Sequence, residues 1–235
     1  MKAQPAKIAT ALLLAALLLS PRGVGFVSIV GEGSAEEYRL PWASGQRMYT
    51  LQGQEQGTHQ GIYSKYAYDF APGPVNDAPF EVLAARSGVV TLAVDTFSPG
   101  QDCDPTSSLR SNFVLVDHGD GTGAKYEHLE HGSASVKVGQ HVTQGTVLAK
   151  SGKTGYVCGI AHLHYTAINT TTRESIDQPF SDPDLKRHNG RPKSGEWYRS
   201  SNLRVSPKAG KSFFPIVLWS HKIPSAREAS GTRPP

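Results

Sequence analysis

Between residues 60 and 170 the chain offers no apolar pattern of helical period, only short apolar runs of three to seven residues separated by glycine and polar turns. That argues against a helical bundle and predicts an all-β domain of many short strands. With 235 residues, 24 glycines, 16 prolines and 38% hydrophobic residues, the chain suits one turn-rich domain with extensions. Expected strands are Phe80 to Ala84, Gly88 to Val94, Phe113 to Val116 and Ala124 to Leu129, the last two joined by a turn at Asp117-His118-Gly119-Asp120-Gly121. Residues 36–58 read as irregular entry structure and residues 169–235 as an irregular C-terminal extension.

One run carries chemistry as well as shape. In Ala161-His162-Leu163-His164-Tyr165-Thr166-Ala167 the alternation of an extended strand sends His162 and His164 to one face and Leu163, Tyr165 and Ala167 to the other. Two imidazoles on one face suit a metal or a catalytic site, and the plainer alternative is a strand with exposed histidines. A second strand, Tyr66-Ala67-Tyr68-Asp69-Phe70, places Asp69 opposite its aromatic face. A carboxylate in so apolar a strand needs a partner, a metal or a strand-end cap. In Tyr126-Glu127-His128-Leu129, alternation puts His128 on the face of Tyr126 and Glu127 opposite.

Composition narrows the partners. The formal charge of +4 falls to +2 without residues 1–35, and no basic run is interleaved with aromatics, so nucleic acid is not expected. Lys2 and Lys7 precede the apolar run Ile8 to Leu19, the layout of a secretory signal too short for a comfortable membrane span. The expectation is a secreted, periplasmic or cell-surface protein, touching a membrane only through this segment if it stays uncleaved. In an exported chain the two cysteines, Cys103 and Cys158, most simply form one disulfide, the alternative being two free thiols. Such a bridge would pin the long polar loop from Asp95 to Ser111.

Taken in order, these motifs resemble those of the lysostaphin-type, LytM-like zinc peptidases over roughly residues 59–168. The matching elements are His59 with Asp69, Tyr126-Glu127-His128-Leu129, Val138-Gly139 through Gly145 to Gly152-Lys153-Thr154-Gly155, and His162-Leu163-His164. The resemblance implies an antiparallel β domain of the lysostaphin-like, duplicated hybrid motif type. It implies Zn²⁺ held by His59, Asp69 and His164, with His128 and His162 acting on water and substrate, and peptidoglycan peptides as substrate. One departure stands out: the family's first histidine usually lies four residues before the Asp, and His59 lies ten before Asp69. His118 is the substitute by residue type, although it falls at a hairpin turn. His131, His141, His188 and His221 have no partner at useful spacing and read as surface residues. The competing function is a catalytically silent wall-binding or regulatory module on the same scaffold. A serine nucleophile is not supported, since no Gly-x-Ser-x-Gly elbow occurs.

Overall fold

Ten strands form from these short runs in the computed structural model, which describes residues 36–100 and 103–205. They are β1 (Arg47–Gln52), β2 (Tyr68–Ala71), β3 (Glu81–Leu83), β4 (Gly88–Val94), β5 (Phe113–Asp117), β6 (Thr122–Glu127), β7 (His141–Val142), β8 (Val147–Lys150), β9 (Leu163–Asn169) and β10 (Trp197–Arg199). Eight make one sheet in the order β10-β1-β2-β9-β6-β5-β4-β7, and β3 pairs with β8 in a second sheet. Every pairing between these strands is antiparallel, as the family resemblance implies. The leader, the apolar cluster Phe213 to Trp219 and His221 lie outside the described residues.

Strand alternation divides the large sheet into two unlike faces. Tyr68, Phe70, Val114, Val116, Ala124, Tyr126, Leu163, Tyr165 and Ala167 are buried on one, packed with Trp42, Val82, Leu148, Phe180 and Leu185 in a single core cluster. Burying a side chain of this size stabilises the fold by about 1.5–3 kcal/mol. The opposite face carries Asp69, His164, Glu127 and Phe113, consecutive across β2, β9, β6 and β5 in the pairing register. Sheet geometry thus lines up polar groups that are far apart in sequence.

Three local expectations change. Residues 36–58 are not merely irregular: Leu40 and Trp42 are core residues, and β1 lies between β2 and β10. The segment after residue 169 is likewise built into the fold through Phe180, Leu185, a 3₁₀ turn over Pro183–His188, and β10. Both segments are polar in composition because a two- or three-residue contact suffices to seat them, leaving no long period to read. His188, expected on the surface, is half-buried, 3.1 Å from Glu196 and edge-on to Tyr198. His131 and His141 are exposed as expected.

Candidate metal centre and its flanking histidines

β6 ends at Glu127, and His128 turns out of it with φ +61°. The expected strand to Leu129 is therefore interrupted, and His128 does not share the face of Tyr126. Tyr126 is buried, its hydroxyl accepting the Ala85 N–H at 2.8 Å. The His128 ring instead reaches the opposite face, with its centroid 4.9 Å from that of His162 and 5.7 Å from that of His164. A left-handed backbone is uncommon for a residue with a Cβ. Here the Ser111 hydroxyl receives the His128 N–H at 3.3 Å, and the Thr154 carbonyl holds the ring Nδ1 at 2.7 Å. Thr154 is positioned in turn through Asn112, whose N–H donates to the Thr154 hydroxyl at 3.0 Å, while that hydroxyl donates to the Leu129 carbonyl at 2.8 Å. Gly155 follows with φ +82°, and a Cβ there would stand 2.7 Å from that of Ser111, so this close approach requires glycine.

The ten-residue gap between His59 and Asp69 is spanned by turns that bring the imidazole back to β2. His59 Nε2 lies 3.3 Å from Asp69 Oδ2 and 3.2 Å from His164 Nδ1, and His164 Nδ1 lies 2.9 Å from Asp69 Oδ1. One ligand atom from each of the three fits within 4.8 Å of the others. His162 Nε2 stands beside them, 3.7 Å from Asp69 Oδ1. His118 is elsewhere: it bonds the Ser87 carbonyl at 2.8 Å and meets the Tyr38 ring edge-on. The structure thus brings together all five residues singled out in the sequence, His59, Asp69, His128, His162 and His164.

Outer hydrogen bonds decide which ring atoms face inward. A carbonyl only accepts, so the contact of His59 Nδ1 with the Gly53 carbonyl at 2.9 Å puts the proton on Nδ1 and leaves Nε2 bare. The same holds for His162, with Nδ1 on the Ile160 carbonyl at 3.0 Å, and for His128 on Thr154. His164 is reversed: Nε2 meets the Thr166 hydroxyl at 3.1 Å and Nδ1 faces Asp69. His59 Nε2, His164 Nδ1 and the Asp69 carboxylate are then pointed at one small volume, with a proton on His164 Nδ1 donated to Asp69 where a cation would otherwise stand. Such a set needs a proton or a cation at its centre, and two imidazoles with one carboxylate suit Zn²⁺ with one coordination position left open.

Without a cation, protons hold the set together. Burial alone would raise the Asp69 carboxyl, but hydrogen bonds from His164 and His59 in their protonated forms and the nearby His162 hold it well below the usual range. Burial opposes charge on His164 as well, yet Asp69 raises it. Burial, reinforced by His162 and His164, lowers His128 to about 4.

Two groups at the centre were not singled out in the sequence. Thr166 is buried behind His164, and Glu127 is its register partner on β6. Burial would raise Glu127, but His164, Lys125 and His128 lower it, and Lys125 Nζ is 2.8 Å away. Thr166 was legible, being two residues beyond His164 on one strand. Glu127 was not, because strand register is set in three dimensions.

Residues 64–177 match the family model described as Peptidase family M23, a span that includes Asp69, His128, His162 and His164 and begins five residues after His59. Among solved structures, the chain is similar to a deep-sea M23 metalloprotease, pseudoalterin, at 20% identity and TM-score 0.44, covering 73% of this chain and all of that one. It is also similar to the catalytic domain of lysostaphin from Staphylococcus simulans, at 23% identity and TM-score 0.35, covering 54% and 83%. A zinc-containing peptidase from Vibrio cholerae matches at 20% identity and TM-score 0.40, over 57% of this chain and only 37% of that one. A search of curated proteins returns no match.

Proposed function

Because the chain belongs to peptidase family M23 through residues 64–177, we propose that it is an exported zinc-dependent endopeptidase that hydrolyses the peptide cross-links of peptidoglycan. The observation that carries this reading is the convergence of one ligand atom each from His59, Asp69 and His164 within 4.8 Å, beside two further imidazoles whose Nε2 atoms are bare. His59, Asp69 and His164 would hold the zinc, which would supply Lewis acidity for the scissile carbonyl and the attacking water. The Gly53 carbonyl and the Thr166 hydroxyl fix the two ligand imidazoles from behind.

The flanking histidines supply the proton chemistry. His128 and His162 donate their Nδ1 protons to main-chain carbonyls, so each presents Nε2 as an acceptor. One takes the proton of the attacking water; an imidazolium so formed stabilises the developing oxyanion and returns a proton to the leaving amine.

Metal analysis of the purified protein, with digestion of defined cross-linked muropeptides with and without chelator, tests the proposal. One equivalent of zinc and chelator-sensitive cleavage are expected, and His164→Ala should lose both. Unchanged cleavage by His164→Ala would overturn the hydrolytic reading. Zinc binding without cleavage of any cross-link would assign the protein to the binding-module class instead.

A further inference from the structure

The sheet face that carries Asp69 continues past the metal centre to the edge strand β10. Tyr49 on β1 pairs with Ala71 on β2, two residues along from Asp69, and with Trp197 on β10. Arg47 pairs with Arg199 one step further. Because alternate residues share a face, Arg47, Tyr49, Trp197 and Arg199 lie on the Asp69 side. From strand spacings, the Trp197 Cα is about 12 Å from that of Asp69.

Two features of this corner are unexplained by folding alone. Arg47 and Arg199 are directly opposed across an antiparallel pair, a destabilising arrangement for like charges. Both are exposed, and neither guanidinium has an ion-pair partner among the described residues. Nearby carboxylates are engaged elsewhere: Asp184 accepts the Arg199 main-chain N–H at 2.9 Å, and Glu196 pairs with Arg187 at 2.6 Å. Beside the arginines, Trp197 remains 37% exposed, meets Tyr49 edge-on with centroids 5.4 Å apart, and carries the Arg47 guanidinium 5.8 Å from its ring centroid. A Cβ at Gly73 would be 3.5 Å from the Trp197 ring. The loop beginning there ends at Asp77, which accepts the Ala161 N–H next to His162 and pairs with Lys153 at 2.9 Å. One short loop therefore ties this corner to the hydrolytic site.

We propose that Arg47 and Arg199, braced by Tyr49 and Trp197, form a substrate-binding ledge that receives a free carboxylate of the wall peptide while its cross-link lies at the metal centre. The assignment rests on the substrate class proposed above, and its ground is charge complementarity. Two guanidinium groups on one side match a carboxylate. Filling the ledge relieves the opposed charges, and the aromatic pair limits the side-chain freedom lost on binding.

Binding of an uncross-linked disaccharide-peptide, which offers no bond to hydrolyse, tests the ledge apart from catalysis. Calorimetry with the full chain should show about three- to tenfold weaker binding for Arg47→Gln/Arg199→Gln than for the parent. The loss should shrink at high salt and be recovered only in part in Arg47→Lys/Arg199→Lys, which keeps the charge without the planar fork, and a fully amidated ligand should bind both forms equally weakly. On a cleavable muropeptide the glutamine variant should raise KM and leave kcat unchanged. Equal binding by parent and glutamine variant, equal binding of the amidated ligand by the parent, or preference for polyglycerol phosphate would overturn the proposal. Failure here with intact chelator-sensitive cleavage removes only the ledge. Carboxylate-selective binding without cleavage removes only the hydrolytic reading.

Discussion

Thr166 is a residue whose side chain does little for packing and much for orientation. Its hydroxyl meets His164 Nε2 at 3.1 Å, so that Nδ1 faces His59 and Asp69. Thr166→Val keeps the shape and removes that contact. Zinc affinity, read by chelator competition, should fall about 10- to 100-fold and return in Thr166→Ser; an unchanged affinity would show that the ring is held by its neighbours alone. His118 makes a different prediction. Burial, only partly offset by its bond to the Ser87 carbonyl, holds it below its ordinary value. The folded state then resists a proton that the unfolded chain accepts below about pH 6.5. Stability contributed by neutral His118 is present above that pH and lost as pH falls through it. His118→Gln should flatten the fall of Tm between about pH 6.5 and 5 relative to the parent, both zinc-loaded; parallel curves would contradict this assignment.

At the scale of elements, the site depends on loops more than on strands. The Cys103–Cys158 disulfide joins the loop after β4 to the segment before β9, the pairing expected of the two cysteines. The Cys103 N–H also donates to the Val157 carbonyl at 2.9 Å. Four residues before Cys158, Thr154 holds His128, whereas Asp69 and His164 stand on strands. Cys103→Ser/Cys158→Ser should therefore lower kcat/KM several-fold more than zinc affinity, without the complication of a thiol reductant binding the metal. A parallel loss of both would mean that the bridge supports the ligands themselves. The two elements harbouring His59 and His128 also show the limits of period-two reading. Alternation places His162 and His164 correctly, but a left-handed backbone at His128 breaks it, and only turns bring His59 to Asp69.

For the whole molecule, the matched family segment is not the folding unit. Residues 36–58 and 178–205 lie outside residues 64–177, yet they supply β1, β10, Trp42, Phe180, Leu185 and Tyr198 to the sheet and core. Phe180, Leu185 and Tyr198 are each worth about 1.5–3 kcal/mol when buried, a large part of a typical stability of about 5–15 kcal/mol. A chain ending at residue 177 should be unfolded by circular dichroism, while one ending at residue 205 should keep a cooperative melt. Folded behaviour of the shorter chain would show that the core closes without them. What the sequence determines by itself is local: strand alternation, turn positions, and the placing of His162 with His164 on one strand face follow from near neighbours in the chain. What tertiary structure decides is convergence. Register places Glu127 opposite His164, turns carry His59 to Asp69, and β10 completes a face that runs from the metal centre to Arg47 and Arg199. Those placements depend on pairing between distant segments, whose free energy comes from closing one core.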